Sequence, residues 1–236
     1  MKHLTCEMLD HGLKLAVCTL GCTVPIYLVD KYLIHRGYNH ENHRWCAIHT
    51  MVNAVVIALT YRGLEAVLSD DNTQTLLAAS GNFNIGSSIV VMSAHLYHLL
   101  KFRITDPSLL VHHVLMMSVL TIPYFNSHNQ RFMYVTDSTL FFMCGLPGMI
   151  DYFCMCLCYS GWMSNIREKR INNFLNTYIR APGILYSAFT TYRYWANGVV
   201  PWYLAVPVIG SLVWNAQHFS NLVAISYGSA KALTLV

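Results

Sequence analysis

Long apolar runs separated by short polar turns dominate the chain. The first run extends from about Leu13 to Val29, with Pro25 near its end. A loop rich in His, Arg and Asn follows, Asp30 to Arg44, and then a second run from about Trp45 to Leu68. After an acidic turn at Ser69–Asn72, a third run covers Leu76 to Leu100, interrupted early by Gly81 and Gly86. A fourth covers Ser108 to Phe125. The stretch from Phe132 to Trp162 is long enough for a full span, but Pro147 and Gly148 break it. It is either one kinked helix or two half-helices, because proline removes a backbone donor and crowds the preceding turn. A basic loop, Ser164 to Arg180, precedes two further runs, Ala181–Trp195 and Val199–Tyr227. Continuous apolar runs of this length read as helices that cross a bilayer. The expected fold is all-α: a polytopic membrane helix bundle of six to seven transmembrane helices with a broken fifth segment, built as a single domain over residues 1–236.

Composition supports that reading. Hydrophobic residues make up 55% of the 236 and charged residues only 11%, against roughly 25% charged in an average soluble domain. The mean hydropathy is +0.39. So few charges cannot cover so much apolar surface in water, which excludes a soluble enzyme, a disordered regulator and a disulfide scaffold. The net charge of +4 is modest and no basic patch is interleaved with aromatics, so nucleic acid is not an expected partner. The eight cysteines lie mostly inside apolar runs and read as free thiols.

Orientation follows from the Lys/Arg asymmetry. With seven spans, Lys31, Arg36, Arg44, Lys101, Arg103, Arg167, Lys169, Arg170, Arg180 and Lys231 share the side that faces the cytoplasm, or the matrix if the membrane is mitochondrial. Lys2, Lys14, Arg62, Arg131 and Arg193 share the other.

Ionisable groups inside a span need a reason to be there. His49 lies one turn into the second span, and His95 and His98 near the end of the third. His112 and His113 lie just inside the fourth, and His218 in the cytoplasmic half of the last. All six sit at one expected depth and could line one wet cavity, where a neutral imidazole serves as general base. The competing reading places His95 and His98 at the lipid headgroups. For His112-His113 that reading is harder, since adjacent helical residues point about 100° apart and one must face the bundle. Asp137, near the start of the fifth segment, and Asp151, just past its break, are the buried acids. Either can orient an imidazole or bind a substrate amine or hydroxyl, and Asp151 can equally tie up backbone freed at the kink. Arg167, Lys169 and Arg170 could attract coenzyme A phosphates, or simply carry the orientation signal. No metal site is expected: His95-x-x-His98 lacks the further histidine boxes of membrane di-iron enzymes, and position 109 is Leu.

Several of these residues also fall in a family order. His49-Thr50, Gly81-Asn82-Phe83, Leu110-Val111-His112-His113-Val114-Leu115 and Asp137-Ser138-Thr139 together resemble the TLC-domain family, the fold of ceramide synthases and of shorter lipid-related membrane proteins. The similarity extends over roughly His43 to Tyr227. The resemblance implies a helix bundle around a cavity open to cytoplasm and bilayer. It implies catalytic roles for His112 and His113, assisted by Asp137, in acyl transfer. Substrate or lipid contacts would come from His49, His95, His98, His218, Asp151, Arg167, Lys169 and Arg170. Acyl-CoA would then be a substrate and no cofactor would be bound. The partners would be membrane lipids, other membrane proteins or a second copy. The endoplasmic reticulum is the membrane expected from the resemblance; a mitochondrial or other organellar membrane is the alternative. Two other functions fit the sequence: a non-catalytic lipid-binding or structural subunit of a membrane complex, and a transporter or channel built on the Gly81, Gly86 and Pro147-Gly148 interruptions.

Overall fold

The computed structural model describes residues 2–69, 85–102, 107–121 and 133–233. Among these residues all regular structure is helical. The elements are α1 (Lys2–His35), α2 (Glu41–Leu68), α3 (Gly86–Lys101), α4 (Pro107–Thr121), α5 (Met133–Leu140), α6 (Leu146–Tyr159), α7 (Asn165–Leu175), α8 (Ala181–Ala196) and α9 (Trp202–Leu233). Three helical stretches are long and apolar enough to cross a membrane: Gly12–His35, Glu41–Leu68 and Tyr134–Tyr159. Gly81 and most of the acidic turn lie outside the described residues.

The central element is α2. It packs on α1 and α3 along one side and on α5 and α6 along the other, while α9 closes against α7 and α8. One apolar core joins Ile48, Val52 and Val56 of α2 to Ile89, Met92 and Tyr97 of α3 and to Leu15 and Ile26 of α1. Two smaller ones seat α8 and α9 on each other and on α5, through Val135, Tyr194 and Ala205 and through Ile184, Ala188 and Leu212.

The expected loop from Asp30 to Arg44 is mostly helix. α1 runs on to His35, and Asp30 is fully buried. A carboxylate can stay there because Arg44 Nε donates to its Oδ1 at 2.8 Å and the Tyr97 hydroxyl donates to its Oδ2 at 2.8 Å. Arg44 also donates to the Tyr38 and Asn39 carbonyls, fastening the turn between α1 and α2. One acid thus clasps three helices. Pro25 sits inside α1 rather than at its end.

The break at Pro147 is a widened turn, not an interruption. α5 passes through a π-helical turn, Phe141–Gly145, directly into α6, so residues 133–159 form one continuous helical run. The expected basic loop 164–180 is likewise helical: α7 passes through a second π turn, Asn176–Arg180, into α8. Both π turns precede a Pro-Gly pair, Pro147-Gly148 and Pro182-Gly183. A proline ring collides with the carbonyl four residues back in a regular α-helix. A five-residue turn moves that carbonyl aside, and the bonds Leu146 N–H to Phe141 and Ala181 N–H to Asn176 span it. The glycine after each proline then takes a close neighbour. A Cβ on Gly148 would stand 2.7 Å from Asn53 Nδ2, and one on Gly183 would stand 2.1 Å from Phe142 Cγ.

Helix stops are locally encoded. Gly37, Gly161 and Gly198 all take positive φ after a helix end. In each case the next residue donates five positions back: Tyr38 to Leu33, Trp162 to Leu157 and Val199 to Tyr194. Hydroxyls inside the helices answer their own backbone four residues earlier, as at Thr60 to Val56, Thr50 to Cys46 and Thr191 to Ser187.

Asp30→Ala should lower the stability of the purified protein by about 3–5 kcal/mol, the cost of leaving a buried partner charge unpaired. Tyr97→Phe should cost less, about 1–3 kcal/mol. Thermal melting in detergent gives both, and equal melting temperatures for all three proteins would dismiss the clasp. Gly183→Ala should cost about 1–3 kcal/mol by overpacking on Phe142. The double variant Gly183→Ala with Phe142→Ala should lose less than the sum of its two parts.

Candidate functional site

Four of the sequence-selected histidines meet in one cavity of about 340 Å³. Each wall is a stripe of residues at helical spacing. α2 supplies Trp45, His49, Val52 and Asn53; α3 supplies Val91, Ala94, His95 and His98; α4 supplies His113 and Met116. The opposite wall comes from Gly148, Asp151 and Tyr152 of α6, Asn172 of α7, Arg180 of the second π turn, and Asn215, Phe219 and Val223 of α9. Spacings of three, four, seven and eight put such residues on one helix face, so few helices need tilt to build the pocket. The cavity is partly open to the outside.

The imidazoles form a connected cluster. His95 and His113 are joined by a hydrogen bond between their Nδ1 atoms. His98 meets His113 edge to face, with ring centroids 4.4 Å apart. Trp45 packs against both His49 and His98. His49 Nδ1 lies 3.1 Å from the Trp45 carbonyl, and its ring sits 4.6 Å from that of Tyr152. When His49 is neutral and donates that bond, its Nε2 carries the lone pair. His98 and His113 are buried within the bundle. Among the described residues, no three His, Cys, Asp or Glu side chains are grouped to hold a metal ion.

The facing wall carries charge and amides. Arg180, Glu168 and Lys169 are the charged groups that act on Asp151. Arg180 donates through one terminal nitrogen to Asn176 Oδ1 at 3.1 Å, and Asn176 in turn donates to Asn172 Oδ1 at 2.5 Å. The missing side chain of Gly148 is what admits Asn53 to this corner.

Other sequence-selected residues lie elsewhere. Asp137 is buried on α5 and does not line the cavity. The Ser87 hydroxyl donates to it at 2.6 Å, and it presses on Gly63, where a Cβ would meet it at 2.6 Å. It joins α2, α3 and α5 as a packing acid. His218 is exposed and stacked on Trp214, one residue off the face that carries Asn215, Phe219 and Val223. Arg167 and Arg170 are exposed on α7, and Lys169 pairs with buried Glu168 at 3.1 Å. The His112 side chain lies outside the described residues.

Arg180, Asn53, Asn172 and Asn215 are site-wall residues that sequence reading passed over. Arg180 counted there only as an orientation charge. The available signal was an amide inside an apolar span, which applies to Asn53 and Asn215 as much as to any histidine. Nothing local marks Asn172, whose place depends on how α7 packs under α9. Compared with known proteins, the chain matches no family model, no curated protein and no solved structure.

Proposed function

We propose that this chain is an integral membrane protein of six to seven spans that takes the polar end of a lipid into its histidine cavity and transfers an acyl group there. Support for the membrane begins with an inverted surface. Leu13, Val17, Leu20, Val24 and Leu28 of α1 are all more than half exposed, while Thr60, Ser87, Ser138 and Thr191 are wholly buried. Apolar exteriors and interiors packed on small hydroxyl residues suit a bundle solvated by lipid. In this reading the shorter or more polar helices α3, α4, α8 and α9 complete the bundle begun by the three long apolar ones.

The observation that carries the chemistry is the His95–His113 bond inside that cavity. Two neutral imidazoles joined Nδ1 to Nδ1 share one proton between them. The ring that donates it keeps a lone pair on Nε2, and the ring that accepts it carries its own proton on Nε2. The pair therefore presents one base and one acid. The base removes a proton from a lipid amine or hydroxyl as that atom attacks the thioester carbon of an acyl-CoA. The carbon–sulfur bond breaks, its electron pair leaves on sulfur, and the acid protonates the thiolate. The shared proton crosses between the rings and the two exchange tautomers. Asp151 and Arg180 line the same cavity as this pair and would hold the polar end of the acceptor. Arg167 and Arg170, exposed on the helix that also supplies Asn172, are placed to attract the coenzyme A phosphates.

Detergent-purified protein with acyl-CoA donors and lipid amines or lysolipids tests this. His95→Ala and His113→Ala should each lower turnover about 10²–10⁴-fold. The double variant should lose no more than either single one, since the two rings act as a unit. Wild-type turnover equal to that of His113→Ala removes the catalytic assignment. Bound lipid with no turnover from any donor would leave a lipid-binding subunit in its place.

A further inference from the structure

Besides its imidazoles, the cavity lining holds four buried polar atoms without a hydrogen-bond partner: Asn53 Nδ2, Arg180 Nε, Asp151 Oδ1 and Asn215 Oδ1. Asn53 and Asn215 are 3% and 8% exposed. A buried polar atom left unpaired costs about 1–3 kcal/mol, and most such atoms in folded proteins are paired. Four in one pocket, two donors and two acceptors, describe the complement of a ligand. Asp30 and Asp137 find protein partners, while outside the cavity Thr19 Oγ1, Ser88 Oγ and Glu168 Oε1 stand singly without one; the cavity gathers four such atoms in one place.

The charges narrow the class. Arg180 and Asp151 line the same cavity, and Glu168 stands beside Asp151, so this corner offers a guanidinium and an acidic pair. In a site of low dielectric, a ligand with a single charge would match one of them and oppose the other. A ligand carrying both signs matches both. Arg180 Nε and the Asn53 amide must donate, which a phosphate oxygen accepts. Asp151 and Asn215 must accept, which needs N–H or O–H groups on the positive end. The rest of the lining, with Val52, Met116, Met143 and Val223, suits hydrocarbon. About 340 Å³ is near the lower end for ligand pockets and admits a headgroup with the first carbons of its chains.

We infer that the cavity recognises a zwitterionic lipid headgroup bearing a phosphodiester and a primary ammonium, the ethanolamine phospholipid class. This rests on the reading of the cavity as a lipid site. A quaternary choline ammonium has the charge but no N–H to give Asp151 and Asn215. Phosphatidic acid has no positive end, and diacylglycerol has neither charge.

The test is titration of the full chain in detergent with dihexanoyl phosphatidylethanolamine, phosphatidylcholine, phosphatidic acid and dihexanoylglycerol, read by calorimetry. The ethanolamine lipid should bind at least about 10-fold more tightly than the choline lipid, the worth of one hydrogen bond to a charged group. Asn215→Leu should reduce that ratio several-fold towards one. The wild-type series decides by itself if this variant fails to fold. Equal binding of ethanolamine and choline lipids, or tighter binding of phosphatidic acid or dihexanoylglycerol, overturns the headgroup assignment and leaves a lipid site standing. No binding of any of the four overturns both.

Discussion

A buried polar atom in this bundle has almost no water to turn to, and that constraint separates scaffold from site. Asp30 shows the scaffold solution. Its two oxygens take Arg44 and Tyr97, and the pairing draws α1, α2 and α3 to one point. Asp137 shows a second, with Ser87 as donor and Gly63 making room. Ser93 bridges α3 to α1 by donating to the Thr19 carbonyl at 2.9 Å. These bonds set how α2 and α3 face each other, and so where His49, His95 and His98 point. In the cavity the same constraint is left open at Asn53, Arg180, Asp151 and Asn215 together.

The two Pro-Gly pairs link backbone chemistry to the site. Each proline demands a wider turn, and each glycine then lets a neighbour approach. At Pro147-Gly148 the neighbour is Asn53, so the seat of Asn53 in the cavity depends on a missing Cβ. The second π turn ends at Arg180 itself. A regular α-helix through residues 176–180 would rotate every later residue of α8 and move Arg180 off the cavity, because one extra residue in a turn shifts the helical phase by about 100°. The Pro147-Gly148 interruption is therefore a continuous helix with its face re-aimed.

Much of the site was legible because ionisable residues in apolar runs are few and spaced by the helix. Trp45, His49 and Asn53 fall at steps of four, and so do Asn215, Phe219 and Val223. His95 and His98 share a face for the same reason. Misreadings arose where polarity had a tertiary cause. Asp30 looked like the start of a loop because nothing local tells that Tyr97, far along the chain, will bond it. Residues 164–180 looked like a loop because their charges are mostly exposed, yet exposure of one face is compatible with a helix that buries Glu168 and Leu175 on the other. Asp137 seemed a partner for His113, but α5 turns it toward Ser87 instead.

The order of residues alone determined the helical class, the approximate ends of most helices, the glycine stops and the supply of histidines within the apolar runs. Those follow from local periodicity and backbone sterics, which act over a few residues. Only the packed structure decided which polar groups satisfy one another and which line the cavity together. It brought Arg180 and Asn172 across to Asp151, set His95 against His113 and sent Asp137 and His218 elsewhere. The physical reason is that pairing depends on the mutual rotation of helices, set by contacts between residues far apart in the chain.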